Sequence, residues 1–108
     1  MRKAARTDAN HSAIVQALRD AGCTVQSLAA IGSGCPDILL GVSGRTALLE
    51  VKDGSKKPSA RALTPEQLRW HAAWRGGTLA VVCDVEGALR VARLLRGLGG
   101  NAGGNRRA

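Results

Sequence analysis

Two apolar runs meet at Ser43-Gly44: Ile38-Leu39-Leu40-Gly41-Val42 before it, and Ala47-Leu48-Leu49-Glu50-Val51 after Arg45-Thr46. Such runs on either side of a two-residue turn read as a β-hairpin, and the turn then fixes the register. With the turn centred between Ser43 and Gly44, facing residues have numbers that sum to 87. Val42 faces Arg45, Leu40 faces Ala47 and Asp37 faces Glu50. A bulge would shift that last pairing. The continuous apolar character of both runs predicts central strands covered on both faces.

The rest of the chain arranges itself around this hairpin. Residues 8–21 carry Ile14, Val15 and Leu18 on one helical face, with Asp8 as a cap and Gly22 as a stop. Cys23 to Ala30 reads as a strand. Thr64-Pro65-Glu66-Gln67 is a helix start, with Thr64 as N-cap, Pro65 at the first position and Gln67 closing a capping box. That helix runs to about Trp74 and stops at Gly76-Gly77. Thr78 to Cys83 reads as a buried strand, and Asp84 caps a last helix from Val85 to about Leu95. The order is α-β-β-β-α-β-α, a single α/β domain with a mixed sheet flanked by helices. Residues 1–7 read as a basic flexible start, 8–96 as the folded domain, and the Gly/Arg-rich stretch 97–108 as a disordered tail.

Two carboxylates facing each other across a hairpin would have Cβ atoms ~4.5–5.5 Å apart and would repel. Lys52 shares the Glu50 face, two residues on, but one ammonium does not neutralise two carboxylates. A divalent cation does, and hard oxygen donors point to Mg²⁺, with Mn²⁺ able to replace it. The charge balance names the substrate. Lys and Arg total 16 against 8 Asp and Glu, a net charge of +8, which suits a polyanion. The cation would hold a phosphate oxygen and activate water; Lys52 would stabilise the developing charge. The basic loop 53–63, with Lys56, Lys57 and Arg61, follows Lys52 directly and could contact phosphates beside the cut, as could Arg69.

Other chemistries fit less well. No Cys-x-x-Cys occurs and His11 and His71 share no helix, which argues against zinc. Gly32-Ser33-Gly34 lacks the Lys of a P-loop. Cys23, Cys35 and Cys83 are widely spaced among apolar neighbours, as thiols in a reducing compartment are. No signal peptide is visible and no apolar run approaches the ~20 residues of a membrane span, so the expectation is a cytoplasmic protein without a membrane partner. Trp70 and Trp74, four residues apart, read either as base-stacking or dimer surface or as packing.

Pro36-Asp37, followed after twelve residues by Glu50-Val51-Lys52, resembles the signature of the PD-(D/E)XK nucleases. With Gly34-Cys35-Pro36-Asp37-Ile38-Leu39-Leu40-Gly41, Leu49-Glu50-Val51-Lys52-Asp53-Gly54 and Leu63-Thr64-Pro65-Glu66-Gln67, residues 8–95 are similar to the small stand-alone VRR-NUC nucleases of phages and prophages. The resemblance implies a restriction-endonuclease-like αβββαβ core. It implies a metal held by Asp37, Glu50 and the Val51 main-chain carbonyl, Lys52 as catalytic lysine, and Gln67 approaching the site. It further implies 5′-phosphate and 3′-hydroxyl products and a homodimer acting on branched DNA such as Holliday junctions. Many members place a metal-binding acid on the first helix; Asp8 is the candidate here, and Asn10 and His11 are weaker ones. The alternatives are a nickase or unselective nuclease, and a DNA-binding or assembly module that keeps the fold without turnover.

Overall fold

The computed structural model describes residues 9–103. Four strands, β1 (Thr24–Ser27), β2 (Ile38–Val42), β3 (Arg45–Val51) and β4 (Thr78–Val82), form one mixed sheet in the order β1-β2-β3-β4. The first two pairings are antiparallel and β3 lies parallel to β4. Four helices complete the chain: α1 (His11–Asp20), α2 (Pro58–Arg61), α3 (Pro65–Ala73) and α4 (Val85–Gly103). The expected element order is present, with α2 added as a single helical turn inside the basic loop. Among the described residues no helix is long and apolar enough to cross a membrane.

The hairpin has the expected register: Val42 faces Arg45, Leu40 faces Ala47 and Ile38 faces Leu49. Its turn needs left-handed backbone at both central residues, a primed turn whose twist matches the strands; Ser43 has φ 54° and Gly44 φ 76°. Register puts Ile38, Leu40, Val42, Ala47, Leu49 and Val51 on one face. There they meet Ile14 and Leu18 of α1, Val25, Val82, and Ala88, Ala92 and Leu95 of α4. Both long helices therefore cover the same face.

That arrangement corrects two expectations. Strand β4, read as buried, is an edge strand exposed at Thr78 and Val81 and sealed only at Val82. Strand β2 is not covered on both faces: Leu39, pointing away from α1 and α4, remains 38% exposed. Only β3 is buried through both faces, from Ala47 to Val51. An apolar run does not by itself reveal which side lacks a covering layer.

Helix ends follow local chemistry. Helix α1 closes in a Schellman motif, with Gly22 N–H on Arg19 O (3.0 Å), Cys23 N–H on Leu18 O (3.0 Å), and Gly22 at φ 90°. Its start lies at His11 rather than residue 8, because Asn10 is the N-cap residue and spends its side-chain amide elsewhere. Asp8, expected as the cap, lies outside the described residues, as does the basic start 1–7. Helix α3 begins with the full capping box of Thr64 and Gln67, and Asp84 Oδ1 caps α4 by accepting Gly87 N–H at 2.7 Å. Helix α4 runs on to Gly103, past the expected end near Leu95 and through the first part of the stretch read as a tail. Arg45 holds this extension by donating to Leu98 O at 3.4 Å. Residues 104–108 lie outside the described residues.

One-sided burial of β2 has a measurable consequence. Leu40→Ala should cost ~2–5 kcal/mol of unfolding free energy, the range for a sealed core position. Leu39→Ala on the open face should cost well under half as much. Urea unfolding of the two variants checks this, and equal losses would mean that the second face is covered after all.

Candidate functional site

The open face of the sheet is where the chemistry collects. Alternation along β3 turns Glu50 and Lys52 away from the α1/α4 core and onto that face, yet Glu50 is only 2% exposed and Lys52 9%. What covers them is the first turn of α3. Gln67, the third residue of that helix, donates Nε2–H to Glu50 Oε2 (3.0 Å). Its Oε1 accepts from Lys52 Nζ (2.8 Å) and also from Thr64 N–H (2.9 Å). Lys52 Nζ lies 3.9 Å from Glu50 Oε2.

Asp37 enters from the other strand, with an offset. The ladder stops at Ile38, and Asp37 N–H donates to Leu49 O (3.0 Å) rather than to Glu50, the one-residue slip that a β-bulge makes. The direct Asp37–Glu50 pairing expected from the hairpin is therefore displaced. The slip re-aims the aspartate, whose Oδ2 accepts Val51 N–H at 2.8 Å. Asp37 O meanwhile accepts Leu28 N–H at 2.7 Å, so its main chain is turned toward the loop after β1.

Asp37, Glu50, Val51, Lys52 and Gln67 together line one cleft of ≈ 260 Å³. Its far wall is the loop 32–35, seated on the start of α3. Gly34, at φ 83°, lies so close that an added Cβ would fall 2.5 Å from Glu66 O. The sequence-level expectation thus gathers five residues into one place. The basic side chains proposed for phosphate contact stand outside the cleft wall. Lys56 and Lys57 are exposed ahead of α2, Arg61 is half-buried at its end, and Arg69 is exposed on α3. Asn10 is not in the cleft either. Its Nδ2 donates to Lys52 O (3.2 Å) and Cys83 O (2.8 Å), pinning the ends of β3 and β4. Trp70 and Trp74 stack on one another, 5.2 Å between centroids, outside the core cluster.

Two further residues that the sequence reading did not assign to the cleft, Cys35 and Glu66, line it, and a third, His71, stands near Lys52. The Cys35 thiol is pushed up by burial, then by Asp37 and Glu50. Its place two residues before Asp37 was the available signal. His71, one helical turn after Gln67 on the same face, has a buried Nε2 with no hydrogen-bond partner among the described residues. Burial first, and the Lys52 charge second, hold its pKa below the ordinary imidazole value.

Among the described residues, no group of three His, Cys, Asp or Glu side chains is arranged to hold a metal ion. Three acidic residues, Asp37, Glu50 and Glu66, line the cleft together with Val51 and Cys35. Comparison with protein families, curated proteins and solved structures gave no match to this chain.

Two measurements test this geometry. Thr64→Ala removes only the cap and should cost ~1 kcal/mol. Gln67→Ala removes the cap's partner and the ties to Glu50 and Lys52, so it should cost ~2–4 kcal/mol, since it strands buried charged groups. Equal losses in urea unfolding would mean that the ties to the cleft contribute nothing. The second measurement is an NMR titration of His71, which should titrate below the usual ~6.5 and move upward in Lys52→Met. Because the folded value is lowered, the unfolded chain takes up the proton first as pH falls. The contribution of neutral His71 is present above that usual value and is lost on acidification below it.

Proposed function

We propose that this protein is a Mg²⁺-dependent DNA endonuclease of the PD-(D/E)XK kind, similar to the stand-alone VRR-NUC nucleases, and selective for branched DNA. The observation that carries this reading is the convergence of Asp37, Glu50, Lys52 and Gln67 on one cleft of a protein with net charge +8. A structural ion pair would need no second carboxylate and no open cleft beside it.

The donors suit a hard divalent cation. Mg²⁺ is commonly bound through one or two carboxylates and keeps several waters, and Asp37, Glu50 and the Val51 carbonyl are such a set. When bound, the ion would supply Lewis-acid activation and offset the negative charge of the carboxylates and the phosphodiester.

The side chains divide the remaining work. Gln67 orients both partners with one amide, holding Glu50 through Nε2 and Lys52 through Oε1. Val51 N–H holds Asp37 in place. Lys52 supplies a fixed ammonium to stabilise the charge that develops on the phosphoryl oxygens. Lys56, Lys57, Arg61 and Arg69 would meet phosphates on either side of the cut and add affinity without sequence preference. Preference for branched substrates and a homodimer rest on the family likeness, and cytoplasmic action on three widely spaced thiols of the kind a reducing compartment holds. Two symmetric cuts require two sites related by a two-fold axis.

The test is cleavage of labelled four-way junction, flap, single-stranded and linear duplex DNA with Mg²⁺, Mn²⁺ or EDTA. Junction cutting should need the metal. It should fall ~10²–10⁴-fold in Asp37→Ala, Glu50→Ala and Lys52→Ala, the range for a lost catalytic group. Equal cutting of every substrate would remove the branch selectivity, and binding without cutting would overturn the enzyme in favour of a DNA-binding module. A separate readout is the salt dependence of DNA binding. Lys57→Ala should lower the log–log slope by about 1 and weaken all substrates alike.

A further inference from the structure

Strand β4 ends the sheet, and nothing in its sequence protects that edge. Thr78-Leu79-Ala80-Val81-Val82 has no proline and no charge, the usual devices against edge pairing. Which groups are open follows from the ladder. Lys52 N–H donates to Val82 O (2.9 Å), so Val82 points its main chain at β3. By alternation Ala80 does the same, and Leu79 and Val81 turn their N–H and C=O outward.

The flanks of this edge are apolar too. On the core side, Ala80, Thr78, Val91, Leu94, Leu95 and Leu98 border a groove of ≈ 530 Å³ between β4 and α4. Leu94 is 64% exposed and Leu98 53%. On the other side of the strand Val81 is 44% exposed. The only charged side chain along the groove is Arg93, which is paired at 2.7 Å with Glu86. A neutral strip on a chain of net charge +8 suits a partner that carries the same charge.

We propose that β4 and α4 form a two-fold interface with a second copy of this chain, the two β4 strands pairing antiparallel about Ala80. This surface rests on the homodimer of the reading above and gives it a location. The register is self-consistent. With Ala80 on the axis, Leu79 faces the partner's Val81, and the outward groups of both residues form a hydrogen-bonded pair on each side of the axis. Leu94 and Leu98 overhang the same edge and meet their counterparts beneath it.

The symmetry has a functional result. A two-fold perpendicular to the sheet keeps both clefts on one face and all four α1 and α4 helices on the other. Glu50 lies opposite Val81, one residue from the axis. Three strand spacings and that offset put the two Glu50 Cα atoms about 16 Å apart in an untwisted sheet. Both sites would then face one bound DNA.

Light-scattering mass across micromolar concentrations tests the interface without DNA or metal. The full chain should reach twice its 11.2 kDa. Leu94→Glu and Leu98→Glu should each weaken association by ~10-fold or more while leaving the circular dichroism unchanged, because both positions are exposed. Ala80→Cys should cross-link under mild oxidation where the wild-type chain does not, since facing residues in a non-hydrogen-bonded antiparallel pair lie ~4.5 Å apart, within disulfide reach. A monomer at every concentration, or a dimer indifferent to both leucine substitutions, would overturn the proposal. A monomer that still cuts DNA removes the interface and keeps the nuclease. A dimer of this kind that cuts nothing does the reverse.

Discussion

The amide of Gln67 is the contact on which the rest of the site depends. Its oxygen serves two donors, the Thr64 main chain that starts α3 and the Lys52 ammonium just past β3. Its nitrogen serves the Glu50 carboxyl. A glutamine has this capacity and a charged residue does not, because the group must accept and donate at once. Helix capping and assembly of the cleft therefore share atoms. The helix cannot shift by a residue without exposing a buried acid and a buried base together, and either would be costly unpaired.

That arrangement also explains why β3 occupies the centre. Its Glu50 needs cover on the face opposite the hydrophobic core, and the connection to β4 provides it. A parallel neighbour requires a crossover, and this crossover contains α2 and α3. Strand β2, whose neighbours are antiparallel, needs no such covering element, and its outer face stays open at Leu39. Topology and site are thus two consequences of one choice, the parallel pairing of β3 with β4.

Much of this was legible because it is local. The Ser43-Gly44 turn fixes the hairpin register through Ile38, and the Thr64–Gln67 box marks α3 to the residue. Convergence of Asp37, Glu50, Lys52 and Gln67 followed from that register together with a family likeness. What escaped depends on contacts distant in sequence. The slip at Asp37 reflects a second hydrogen bond to Leu28, and the late start of α1 reflects the use of Asn10 to hold two remote carbonyls. The open face of β2 depends on both long helices choosing the same side, and the length of α4 on a bond from Arg45. His71 joins the site only through the fold of α3 over Lys52. None of these leaves a periodic or spacing signal.

Asn10 has a consequence in time as well as in space. It joins partners 42 and 73 residues away, Lys52 O and Cys83 O. At ~5–20 residues per second, synthesis delivers Cys83 several seconds after Asn10. Until then the end of β3 lacks β4, and the hairpin with its two acids is a fragment. The full set of contacts around Asn10 therefore cannot close before Cys83 is made. A nascent chain on the ribosome carries the acids and the lysine before it carries the crossover and the parallel strand that set their geometry.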